Sequence, residues 1–183
     1  NAVLGHSQGG DPFRMYPRGV TQGKKDAAPW PLTLIVHVGP HKTATTTIQA
    51  ALAHNTPYLA TRGVHVPPGV HPQLGGHHVL SFLLGGRSLV PLIGQTESDV
   101  SVGDVLDEWL TGARENGAHR VLVSSEEFCD ITEEGWLTFD RELQKAAQRT
   151  NTAVSGLVIH FTRRDIESRV KSAAGNAYVH GAT

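Results

Sequence analysis

Cysteine is almost absent: Cys129 stands alone in 183 residues. A single thiol excludes an internal disulfide and every cysteine-based zinc spacing, and it fits a reducing compartment. Long apolar runs are missing too. LTLIV and VLSFLL fall far short of the roughly 20 residues that a membrane-spanning helix needs, so no span is expected. Charge of one sign is also lacking: 16 Lys and Arg stand against 17 Asp and Glu, a formal net charge of -1. No global field would draw such a chain onto nucleic acid or an anionic membrane, so any anion site must be local. These absences leave a cytoplasmic protein with neither a nucleic-acid nor a membrane partner as the expectation; they say nothing of oligomeric state.

The length suits one domain able to bury a core. Residues 1–30 mix Gly, Pro, Gln, Asp and Lys without apolar periodicity or a signal-peptide hydrophobic stretch, and are expected to form a mobile leader. Residues 31–183 then make up the domain. The chain opens on Asn1 and stops at Thr183 soon after an apparent helix begins, which leads us to expect that the C-terminal part of the domain is missing.

Within that domain the pattern alternates. Thr33 to Val38 is a β-branched apolar run ended by Gly39-Pro40, as expected of a strand buried on both faces of a parallel sheet. Ala44 to about His54 carries Ile48, Ala51 and Leu52 at helical spacing. GVHVPP at 63–68 is short and strand-like, and HHVLSFLLGG predicts a short helix between glycine pairs. Val102, Val105, Leu106, Trp109, Leu110 and Ala113 form a helical stripe ending at Gly117. HRVLVSSEE (119–127) reads as a strand, Leu137 to Arg149 as a helix, and VSGLVIHFTRRD (154–165) as a strand running into a helix. Strands separated by helices imply βαβ units: an α/β domain with three αβα layers around a central parallel sheet.

Ligands of such sheets bind beyond the carboxyl ends of the strands, where helix N-termini present free N–H groups. At the first such end stands VGPHKTATTTIQ, residues 38–49. His41, Lys42, Thr43, Thr45, Thr46 and Thr47 gather there; a lysine and three consecutive threonines suit an anion better than they suit a helix start, although Thr43 or Thr45 alone would serve as a plain cap. Arg163 and Arg164 end the last strand at another helix start, where two cations favour a negative ligand unless Asp165, Glu167 or Glu126 pairs with them. A nucleotide kinase is the obvious rival, but the Walker pattern G-x-x-x-x-G-K-[ST] fails because Lys42 precedes Ala44 and Gly39 lies only three residues ahead of it.

GPHKTATTTIQ resembles the 5′-phosphosulfate loop of sulfotransferases that use 3′-phosphoadenosine-5′-phosphosulfate (PAPS), and RDIESRVKS, Arg164 to Ser172, is similar to their 3′-phosphate motif. VSSEEF resembles the strand of bacterial carbohydrate-type members, and the likeness spans roughly residues 33–174. Ala44 stands where those proteins usually have glycine. The resemblance implies the P-loop-NTPase-like sulfotransferase fold and transfer of a sulfuryl group to a hydroxyl of a carbohydrate or small metabolite, without a metal. It implies that His41, Lys42, Thr43, Ala44, Thr45, Thr46 and Thr47 hold the 5′ side of PAPS, that Arg164 and Ser172 grip its 3′-phosphate, and that Lys42 is catalytic. A base is needed for the acceptor proton; His78 is the first choice, with His77, Glu126 and Glu127 as competitors, one of the glutamates being expected instead to hold Arg163 or Lys42. An ATP-dependent small-molecule kinase and a catalytically silent nucleotide-binding domain remain the alternatives. His37 and His160 are expected as satisfied core residues, Trp109 and Phe139 as packing, and Cys129 as a buried apolar residue.

Overall fold

The computed structural model of the chain describes residues 27–39, 45–68, 76–89, 92 and 100–161. In chain order the elements are β1 (Trp30–Val38), α1 (Thr45–His54), α2 (Thr56–Thr61), β2 (Val64–His65), α3 (His78–Leu84), α4 (Val102–Glu115), β3 (Arg120–Ser125), a 3-10 turn (Glu126–Asp130), α5 (Glu133–Thr150) and β4 (Thr152–Phe161). The strands form one all-parallel sheet in the order β2-β3-β1-β4, flanked by helices, as the alternating pattern predicts for an αβα layering.

One face of the sheet carries the core. Leu32, Leu34, Val36 and Val38 of β1 and Val121 and Val123 of β3 bury that face against α3, α4 and α5, which contribute Leu80, Leu106, Trp109, Leu110, Ala113, Phe139 and Ala146. The stripe read from α4 is therefore its packing face, and Trp109 and Phe139 are core residues as expected. The other face of β1 is less covered than a two-sided burial predicts: Thr33 and Ile35 are half-buried, and that face closes only toward its carboxyl end, at His37.

The helix ends follow their local sequence. Ser101 caps α4, accepting from the Asp104 amide at 3.2 Å while its own amide donates to Asp104 Oδ2 at 2.9 Å, a reciprocal capping box. Thr132 caps α5 through the Gly135 amide at 3.2 Å. Asn151 takes a left-handed conformation (φ 51°) to turn α5 into β4. Arg149 clamps α5 to α4 with two bonds to the Asp107 carboxylate, 2.7 and 2.9 Å. Gly63, at φ +67°, swings α2 into β2 and leaves its carbonyl to accept from both His119 and Arg120 at the start of β3.

Three details depart from the sequence expectations. β1 begins at Trp30, earlier than its apolar run, because the indole N–H donates to the Ala118 carbonyl at 2.7 Å and the ring stacks on His119. His160 is exposed rather than buried: β4 is the edge of the described sheet, and Leu157, Val158 and Ile159 beside it are also open, at 45 to 49%. Cys129 is half-buried in the 3-10 turn, where its thiol donates to Asp130 Oδ1 at 3.3 Å.

Gly135 marks where α5 meets the end of α3. A β-carbon there would stand 2.6 Å from Ile131 Cγ2 and 2.7 Å from the Leu84 carbonyl oxygen. Backbone cannot step aside as a side-chain tip can, so the clash outweighs the small gain in helix propensity at a first-turn position. Gly135→Ala is expected to lower stability by about 1–3 kcal/mol in urea unfolding; an unchanged or raised midpoint would contradict this packing.

Candidate functional site

The carboxyl ends of three strands meet in register. Val38 pairs with Ser125 on one side and with Phe161 on the other, so β3, β1 and β4 finish along one line. Just beyond that line α1 begins at Thr45, which is buried; its hydroxyl donates to Glu126 Oε2 at 2.6 Å. A carboxylate at a helix N-terminus is electrostatically favoured, and this bond ties the segment after β1 to the turn after β3. Thr46 and Thr47, in contrast, are exposed. One turn along α1, Gln49 is 3% exposed and its Nε2 has no hydrogen-bond partner among the described residues. His41, Lys42, Thr43, Ala44, Arg163, Arg164 and Ser172 lie outside the described residues.

The candidate bases are separated by their bonding. β2 pairs with β3 only at Arg120 and Val121, so β3 runs on past its neighbour toward Ser124 and Ser125. His77 fills the gap: its amide donates to the Ser124 carbonyl at 2.8 Å, and the Ser124 amide donates to its Nδ1 at 3.0 Å. The other ring nitrogen, Nε2, lies 2.9 Å from the Pro67 carbonyl, which can only accept, so Nε2 carries the proton. Both nitrogens of His77 are thus spent on backbone groups. Its ring also meets Trp109 edge-on at 5.5 Å. Burial drives its pKa down to about 4, against a smaller opposing effect of the Pro67 and Ser124 carbonyl oxygens beside the ring. His77 is a neutral structural imidazole.

His78, the first residue of α3, is buried beside it. Its Nδ1 is 3.0 Å from Ser125 Oγ, which also accepts from the Glu127 amide at 3.2 Å and lies 3.1 Å from Ser81 Oγ. Gly76 makes room for the ring: a β-carbon at that position would meet His78 Nε2 at 2.3 Å. His37 reaches the same strand end, with Nδ1 2.8 Å from Ser124 Oγ; burial, and secondarily the neighbouring His160 ring at 5.4 Å, lower its pKa.

Each glutamate has a partner among the described residues; Arg163 and Lys42, which one of them is expected to hold, lie outside those residues. Glu127 is ion-paired with Arg87, whose second nitrogen is 3.1 Å from Asp130, and the hydrogen bond to Glu127 raises the arginine's pKa. Glu126 takes the Thr45 hydroxyl. Sequence reasoning names the histidine pair, the two glutamates and Thr45 as candidates but not Arg87 or Ser81, nor the bonds that Ser124 and Ser125 make with them. The run of hydroxyls ending β3 was the available signal: polar side chains placed inside a buried sheet need partners.

A neutral His77 has a consequence for acid stability. Its folded pKa lies below the unfolded value of 6.5, so its contribution is present above pH 6.5 and is lost as pH falls toward about 4. The loss is on the order of 3 kcal/mol by linkage. Glu108 acts oppositely over part of that range, since burial raises its carboxyl to about 7 and its protonation favours the fold as pH falls. The difference between wild type and His77→Asn isolates the histidine. Urea unfolding is expected to show the wild type losing its advantage over that variant between pH 6.5 and 4; a difference independent of pH would contradict a neutral His77.

Comparison of the chain with family models, curated proteins and solved structures finds no match.

Proposed function

We propose that the protein is a sulfotransferase that moves a sulfuryl group from PAPS to a hydroxyl of a carbohydrate or small metabolite. The observation that carries this reading is the register at the sheet's carboxyl edge. Val38 and Phe161 are partners in adjacent parallel strands, and Lys42 and Arg164 follow them in the sequence by four and three residues. Cationic residues following so soon after two paired strand residues suit a donor with two separate phosphate-like groups better than they suit a simple surface ion-pair network. The Thr45 hydroxyl, already aimed at a carboxylate oxygen, has the donor chemistry that an oxyanion requires at the head of α1.

In this reading the acceptor oxygen attacks sulfur in line as the bond from sulfur to the 5′-phosphate oxygen breaks. Negative charge accumulates on that departing oxygen, where Lys42 stabilises it. The phosphate leaves as a weak base, so no strong general acid is needed. The acceptor proton goes to His78, the histidine of the pair whose Nδ1 faces a side-chain hydroxyl, that of Ser125, rather than the backbone. Arg164 and Ser172 bind the 3′-phosphate that separates this donor from ATP.

Calorimetric titration with adenosine 3′,5′-bisphosphate and with ADP tests the reading. A charge-assisted contact contributes about 1.5–3 kcal/mol, so the 3′-phosphorylated ligand is expected to bind about 10–100-fold more tightly. Arg164→Ala should abolish that preference, and Lys42→Ala should weaken both ligands. Equal affinities in the wild type would contradict the proposal, and turnover of ATP with magnesium would favour a kinase. Tight binding of the bisphosphate with no transfer to a panel of hydroxyl acceptors would favour a silent binding domain.

A further inference from the structure

We infer that Ser81 and Ser125 form a closed proton circuit that holds His78 with its proton on Nδ1 and its lone pair on Nε2, which makes the two serines positioning residues for the base. The inference rests on the reading of His78 as that base, but the circuit itself follows from four contacts. Ser81 Oγ lies 2.9 Å from the His78 carbonyl oxygen, which has no proton to give, so the Ser81 hydroxyl donates. A hydroxyl has one proton, and that one is now used. The 3.1 Å contact between Ser81 and Ser125 therefore takes its proton from Ser125. Ser125 has none left for the imidazole 3.0 Å away, so Nδ1–H is the donor in that pair. The Glu127 amide, 3.2 Å from Ser125 Oγ, fills the second acceptor position of the same oxygen.

The opposite assignment runs the protons from Ser81 to Ser125 and from Ser125 to Nδ1. It leaves the Ser81 and His78 oxygens facing each other at 2.9 Å with no proton between them, which is repulsive. Both serines are at most 1% exposed, so bulk water is not at hand to relieve such a contact. The two adjacent histidines consequently hold opposite tautomers: His77 is protonated on Nε2 by its bond to Pro67, His78 on Nδ1 by its bond to Ser125. Only the second arrangement leaves Nε2 as a proton acceptor, on the side of the ring that packs against Gly76. A general base must present its lone pair, and a side chain able to hold either tautomer would lose part of its population to the inactive one.

Side-chain nitrogen–proton correlation spectra of the full chain near neutral pH read the tautomers directly, with signals assigned through His78→Gln and His77→Asn. The wild type is expected to show His78 protonated at Nδ1 and His77 at Nε2. In Ser81→Ala the Ser125 proton loses its acceptor and turns toward Nδ1, so the Nδ1–H signal of His78 is lost and an Nε2–H signal replaces it. In Ser125→Ala both tautomers are expected together. An Nε2–H signal for His78 in the wild type, which needs no variant to fold, or a spectrum unchanged in Ser81→Ala, would overturn the circuit. The nucleotide reading fails separately: the Nδ1–H signal together with equal binding of ADP and the 3′,5′-bisphosphate would retire the sulfotransferase and leave the circuit standing.

Discussion

A parallel sheet must satisfy every backbone group that it buries, and here one strand outruns its neighbour. β2 is two residues long, whereas β3 continues past it toward the end of the sheet. At Ser124 the unmatched amide and carbonyl would each cost about 1–3 kcal/mol if left buried and unpaired. His77 supplies both partners, one from its backbone and one from its ring. A side chain thus does the work of a missing strand residue. The geometry of the site descends from that substitution, since fixing His77 against β3 also fixes His78 next to Ser125 at the start of α3.

The core holds this arrangement from below. α3, which carries His78 and Ser81, is pressed onto the sheet by Val79, Leu80 and Leu84, and α5 buttresses its far end at Gly135. Trp109 of α4 reaches the edge of the His77 ring, so the aromatic core and the polar strand end share a boundary. On the opposite side of the strand end His37 bonds to Ser124 Oγ, and Thr45 of α1 bonds to Glu126. These polar groups bond to one another in short chains. That is how so many hydroxyls and imidazoles are accommodated where β1 and β3 end.

Much of the architecture was legible from periodicity. The β-branched run of β1, the stripe of α4 and the alternation of strands with helices define the layers without reference to long-range contacts. Strand order was not legible, because β1 lies between β3 and β4 through connections whose lengths permit other orders. His160 was misread for a related reason: its apolar neighbours suggest a central strand, but β4 is the edge of the described sheet. Cys129 follows a strand pattern in sequence, yet the chain has already turned into a 3-10 helix there. At the strand ends, residue types pointed to a polar cluster but could not tell the bonding of His77 from that of His78. That distinction depends on which imidazole faces an unfinished strand, a fact of registration between β2 and β3.

Exchange of the Ser124 amide hydrogen tests the central claim most directly. If His77 completes the strand, that amide exchanges as slowly as the β3 amides bonded to β1, and His77→Ala accelerates it selectively while those neighbours stay protected. Rapid exchange at Ser124 in the wild type, or protection that survives removal of the imidazole, would contradict the account.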